Sequence, residues 1–274
     1  NHMPALTFIT LWLCFLISLS SCTQTPSIDS DGNVTVKQPS KIMQDYGTRQ
    51  FNYLKNTKKI SSDPSLNKRV IRVASKLQSV IDLPEAKWEF VVFEDNSLNA
   101  FCLPGGKVGI NTGLFRIIGD DDALLAAALG HEISHATANH AQQRIHRMLR
   151  IIISSAIIWR VLDHNDIDNT GEIISAFSLG GYVFNTLPFY RMQEYESDKM
   201  GAIFMAKAGY DPRKSILLWK LLKSRHFYDG DQKPEFLRTH PHDIKRIKAL
   251  EYFMPIAMQH YYEAKKSDPK RNQQ

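Results

Sequence analysis

At 274 residues, 43% of them hydrophobic and 23% charged, the chain has the apolar content to bury one sizeable core of its own. Its net charge of +6 is modest, and its basic residues are spread out rather than interleaved with aromatics. That argues against a nucleic-acid groove and leaves room for attraction to anionic lipid or an acidic partner. No internal repeat is evident.

Pro4 to Ser20 is an apolar stretch of 17 residues ending in Leu19-Ser20-Ser21-Cys22, the form of a signal peptide over 1–21 with a bacterial lipobox. It is short for a membrane span, and the small residues before Cys22 suit cleavage and lipid attachment to that cysteine. Only Asn1 and His2 precede Met3, so the usual basic n-region is missing. On this reading Cys14 leaves with the leader, Cys22 carries lipid, and Cys102 alone remains, so no intramolecular disulfide is expected. An uncleaved N-terminal anchor is the rival reading. Residues 22–43, rich in Ser, Thr, Pro and Asp, read as a tether, 44–264 as one domain and 265–274 as a frayed tail.

Asp63-Pro64 starts a helix whose Leu66, Val70, Val73, Leu77 and Val80 form one apolar stripe. Trp88 to Phe93 alternates like a strand, and Pro104-Gly105-Gly106 is turn chemistry within a hairpin over 99–108. An edge strand there suits main-chain pairing with an extended peptide.

Asp120 to Asp122 supply an N-cap and acidic first turn, and Ala123 to Leu129 lead into His131-Glu132-Ile133-Ser134-His135, on a helix expected to run to about His146. Positions i and i+4 share a helix face, so His131 and His135 can direct imidazole nitrogens at one zinc ion. Glu132, turned about 100° round the helix, can instead reach a water in the metal's open position and take its proton.

Residues 151–159 are apolar but too short to cross a bilayer as a helix. With the run 173–184, across a polar loop at 163–171, they are expected to form helices packed on the zinc helix; a sharper reading has them expose apolar surface to membrane-associated substrate. A catalytic zinc needs a third protein ligand. Arg191 to Asp198 opens a helix to about Ala208, and Glu194 and Asp198 share a face, so one can bind metal while the other accepts a hydrogen bond from a ligand histidine. Glu196 faces away and reads as a solvated carboxylate. Pro212 to about Arg225 forms a further helix, followed by a polar loop, and Thr239-His240-Pro241 suits a helix N-terminal turn.

These segments together resemble the M48 family of gluzincin metallopeptidases: HExxH, then Glu194-x-x-x-Asp198 with Ala208-Gly209-Tyr210-Asp211-Pro212, the earlier Asn99-Ala100-Phe101-Cys102-Leu103-Pro104-Gly105-Gly106, and Thr239-His240-Pro241 with Arg246. HExxH alone is shared by many unrelated peptidases; the ordered combination, over roughly Gln44 to Ala264, is specific. The departure is Cys102, where small apolar residues are more usual.

The resemblance implies an α+β, predominantly helical domain with a small sheet or hairpin beside the HExxH helix, and one Zn2+ per chain held by His131, His135 and Glu194. Asp198 would support a ligand, and Glu132 would act as general base. His240 would stabilise the oxyanion or swing onto the zinc and hold the enzyme inactive, and Arg246 would pair with a carboxylate near the site. It further implies a zinc endopeptidase acting on unfolded or misassembled envelope proteins, lipid-anchored through Cys22 on the periplasmic side of the outer membrane, or inner-membrane anchored if the leader is kept. Outer-membrane assembly machinery is a candidate partner and nucleic acid is not. A chaperone or assembly factor with secondary or latent proteolysis is the alternative.

Overall fold

The computed structural model describes residues 26–226, 240 and 244–267. The leader, Cys22, Thr239, Pro241, the loop over 227–239 and the end of the tail lie outside the described residues. The described residues divide into two compact units, one of 142–192 and one of 26–141 with 193–226, 240 and 244–267.

In the larger unit, α1 (Lys41–Thr57) starts at Ser40, whose hydroxyl accepts from the Met43 N–H. The second helix, α2 (Pro64–Gln78), starts at Asp63, whose carboxylate accepts from the N–H groups of Ser65 and Leu66. Val70, Val73, Ala74 and Leu77 on α2 are buried, while Val80 lies just past its end. Strands β1 (Glu89–Phe93), β2 (Ala100–Leu103) and β3 (Lys107–Asn111) form a sheet in the order β1-β3-β2. β2 and β3 pair antiparallel, with Ala100 opposite Ile110, and β1 runs parallel to β3. Gly105 and Gly106 close the hairpin at φ +84° and +81°, a conformation costly for a residue with a Cβ. The result is α+β and mostly helical, with the sheet beside the HExxH helix.

That helix, α4 (Asp122–Thr137), follows the single turn α3 (Phe115–Ile118). Asp121 caps it by accepting from Ala123 and Leu124 N–H, and every residue from Leu124 to Thr137 is buried, because α2, β2 and α8 (Arg213–His226) all pack on it. It is shorter than expected. Asn139 adopts a left-handed φ of 57°, the chain turns, and His140 begins a new helix, α5 (His140–His164).

Residues read as part of a tether are folded here: Ile28 bridges to Val34 and lies in the core, and Ser27 is buried. An apolar side chain in an otherwise polar run has core surface to cover. Lys37 N–H donates to Thr137 O, and the Asn139 side chain to Gln38 O, so the same segment is pinned at the end of α4.

The smaller unit holds most of α5, then α6 (Thr170–Gly181), a wider turn over Tyr182–Thr186 and the start of α7 (Leu187–Lys207). Its apolar cluster is centred on Ile158 and Leu162, and the Arg147 guanidinium sits 3.8 Å from the centre of the Phe189 ring. Ile152, Ile153 and Trp159 are exposed. Among the described residues no helix is long and apolar enough to cross a membrane.

Back in the larger unit, α7 meets α4 at two glycines. A Cβ at Gly201 would lie 2.9 Å from the His131 backbone nitrogen, and one at Gly130 would lie 3.1 Å from the Gly201 carbonyl. The helices therefore touch backbone to backbone, which puts His131 and Asp198 on facing surfaces. Gly201→Ala is expected to lower stability by about 1–3 kcal/mol through overpacking, whereas Gly180→Ala, with nothing within 4 Å of its added carbon, is expected to gain about 0.5–1 kcal/mol. Urea unfolding of the two variants checks the contrast.

Candidate metal centre

Four side chains from three parts of the chain meet at one point: His131 and His135 of α4, Glu194 of α7, and His240. His131 Nε2 lies 3.3 Å from His135 Nε2, 3.2 Å from His240 Nδ1 and 3.4 Å from Glu194 Oε2. His135 Nε2 is 3.5 Å from Glu194 Oε1, and His240 Nδ1 is 2.9 Å from Glu194 Oε2. All four are buried or nearly so.

Proton counting favours a cation at this point. His131 Nδ1 is 3.0 Å from Asp198 Oδ1, so with its proton there the neutral ring turns a lone pair inward at Nε2. On the outer side of His135, Nδ1 is 2.9 Å from His140 Nδ1, and a proton carried there by His135 likewise leaves its Nε2 bare. Around a tetrahedral ion with bonds near 2.0–2.1 Å, ligand atoms sit about 3.3–3.4 Å apart, close to the 3.3, 3.4 and 3.5 Å separations among His131, His135 and Glu194. Charge agrees. Glu132, Glu194 and Asp198 against Arg246 leave two uncompensated negative charges when the imidazoles are neutral, which a divalent cation cancels.

The electrostatics follow from that excess. Burial works against charging His240, but Glu132 and Glu194 outweigh it and raise its pKa to about 10. His131 is also raised, the bonds to Asp198 and Glu194 overcoming burial, whereas burial prevails at His135 and holds it well below the usual value. Glu194 sits well below the carboxylate range despite burial, because His135 and His240 face it.

Asp198 is clamped by Arg246 of α9 (Ile244–Ser267), whose Nε and Nη2 each donate to it at 2.8 Å. Arg246 also reaches Glu194 at 3.3 Å and lies 4.1 Å from the centre of the Trp219 ring, which packs edge-on against His131 at 5.1 Å. Against the cost of burial, Arg246 keeps Asp198 ionised below its ordinary pKa. Glu132 Oε1 lies 3.1 Å from His240 Nε2, beside the cluster and not among its four converging atoms. Cys102 on β2 is partly buried near Glu132, and burial pushes its thiol pKa far up, away from the thiolate form.

Two residues stand apart from expectation. Glu196 is not a solvated carboxylate: it is half-buried, 3.0 Å from His140 Nε2, and accepts the Ser27 N–H. Face-counting along α7 placed it outward, but the turn at Asn139 brings His140 against it, and the segment at Ser27 reaches it as well. An Asn four residues past HExxH, a common left-handed helix terminator, was the signal available in the sequence for His140.

An HExxH helix crossed by a carboxylate-bearing helix, with four donor atoms within 4.8 Å of one another, is the arrangement of a metal-binding domain. The match is to a named family. The profile of Peptidase family M48 covers residues 64–254, well over half of the chain, and the chain belongs to that family. It is 31% identical to the mitochondrial metalloendopeptidase OMA1 of Schizosaccharomyces pombe over 232 residues, 84% of this chain and 63% of that protein. Against the protein of the same name from Arabidopsis thaliana it is 36% identical over 163 residues, 60% of this chain and 31% of the relative. Against the beta-barrel assembly-enhancing protease of Escherichia coli K12 it is 27% identical over 211 residues, 75% of this chain and 42% of the relative. The chain thus spans less than two thirds of the length of each of these relatives.

Arg246→Met leaves Asp198 buried without its cation and is expected to cost about 3–5 kcal/mol at pH 7. Because Arg246 depresses the Asp198 pKa, its stabilisation is present at neutral pH and fades as the pH falls through the depressed folded value. Denaturant unfolding of wild type and variant at pH 7 and at successively more acid pH is expected to show the gap narrowing.

Proposed function

We propose that the chain is a zinc endopeptidase in which His131, His135 and Glu194 hold the metal, Glu132 is the general base and Asp198 positions His131. The observation that carries this reading is the convergence of His131 Nε2, His135 Nε2 and Glu194 with Glu132 alongside. Two imidazoles and a carboxylate form a donor set suited to zinc. Zinc, when bound, supplies a Lewis acid for the scissile carbonyl and a water of lowered pKa. Glu132 then takes the proton of the attacking water and returns it to the leaving amine. The Asp198 carboxylate, held by Arg246, fixes the His131 ring so that Nε2 keeps its inward lone pair.

Unfolded or misassembled envelope proteins are the proposed substrates. The names of the bacterial relatives, beta-barrel assembly-enhancing proteases, support that class and a link to outer-membrane assembly. The lipobox before Cys22 supports lipid anchoring on the periplasmic side of the outer membrane, with an uncleaved inner-membrane anchor as the other arrangement.

A second reading, an assembly factor with a latent protease, rests on His240. Its Nδ1 is the fourth of the converging atoms and its Nε2 lies 3.1 Å from Glu132, where it would compete for the water position and engage the base.

Casein cleavage by the zinc-loaded protein is expected to vanish with chelator and to fall by about 10²–10⁴ in Glu132→Gln. Cleavage that persists in both controls rules the mechanism out. Under the latent reading His240→Ala raises the rate, and an unchanged or lower rate removes that reading.

A further inference from the structure

Behind His135, on the side away from the converging atoms, lies a second chain of polar groups that the reaction does not use directly. His135 Nδ1 meets His140 Nδ1 at 2.9 Å, and His140 Nε2 meets Glu196 Oε2 at 3.0 Å. The other Glu196 oxygen accepts the Ser27 backbone N–H, and the Ser197 hydroxyl lies 3.3 Å from His140 Nδ1. His140 is 1% exposed, so water cannot readily replace its partners.

Only one arrangement of protons lets the His135–His140 and His140–Glu196 contacts both form while His135 presents a lone pair at Nε2. His135 must carry its proton on Nδ1 and donate it to His140 Nδ1; His140 must then carry its proton on Nε2 and donate it to Glu196. Glu196, as an acceptor only, fixes the direction of the whole series, and the Ser27 N–H holds the carboxylate in place.

We infer that His140 and Glu196 are positioning residues that set the tautomer and ring orientation of His135, and that docking of the segment at Ser27 is coupled through them to metal affinity. This rests on the proposed assignment of His135 as a metal ligand. His131 is backed directly by a carboxylate, Asp198, whereas His135 is backed through a second imidazole. The segment reaches the same region twice, at Glu196 through Ser27 and at the end of α4 through Lys37 and Gln38. Its coupling to the metal ligand therefore follows a continuous set of hydrogen bonds.

The test measures zinc affinity of the full chain by competition with a chromogenic chelator, and the visible absorption of the cobalt-substituted protein, without any activity assay. His140→Ala and Glu196→Leu are expected to weaken zinc binding about 10–100-fold and to alter the cobalt spectrum. Glu196→Gln, which keeps an oxygen to accept from His140, is expected to recover part of the loss. The double variant is expected to bind no more weakly than His140→Ala alone, because both act through one ring. Ser27→Pro, which removes the backbone donor to Glu196, is expected to give a smaller loss of the same kind and tests the coupling even where His140→Ala does not fold. Folded variants that bind zinc as tightly as wild type, or losses that simply add in the double variant, overturn the inference. A wild type that binds no zinc instead overturns the assignment of the metal site, and His135→Ala distinguishes the two failures.

Discussion

Backbone-to-backbone contact between two helices needs residues without side chains at the crossing, and α4 and α7 have glycine on both sides of it. Any larger residue at Gly201 would press on the His131 nitrogen, moving the ring that lies against Asp198. Separations between donor atoms of little more than 3 Å leave no slack for such a shift. The hairpin, α2 and α8 enclose α4 from other directions, which explains a helix buried nearly throughout and apolar over most of its surface apart from His131, Glu132 and His135.

Bringing those helices together also buries charge. Three carboxylates face one guanidinium and three imidazoles, in a setting where an unmatched ion is costly. The arrangement resolves that cost in two layers. Arg246 neutralises Asp198 permanently, and the remaining negative charge is directed inward at the point where the nitrogen lone pairs converge. Groups that would destabilise an ordinary core here define a place for a divalent cation, and α9 and Trp219 hold the neutralising arginine rigid.

Much of this was legible in the sequence because it is local. The i, i+4 spacing of His131 and His135, the Asp121 cap, and the paired glycines of the hairpin each constrain their neighbours directly. Glu194 and Asp198 were recognisable as a pair for the same reason. What local spacing does not encode is how separate pieces cross. Glu196 was misread because its environment comes from His140 and Ser27, and His140 because one left-handed residue, Asn139, ends the helix that periodicity alone would continue. The folding of Ile28 and Val34 is likewise a tertiary outcome, decided by core surface that no window along the chain displays.

Contacts at the centre join residues 109 positions apart, from His131 to His240, and those behind it join residues 169 apart, from Ser27 to Glu196. A chain emerging from the ribosome holds the HExxH helix long before it holds Arg246, and until then Asp198 has no guanidinium opposite it. The order of synthesis thus makes completion of the metal centre a late event. A nascent or interrupted copy that stops short of residue 246 therefore carries Asp198 without the guanidinium that matches its charge.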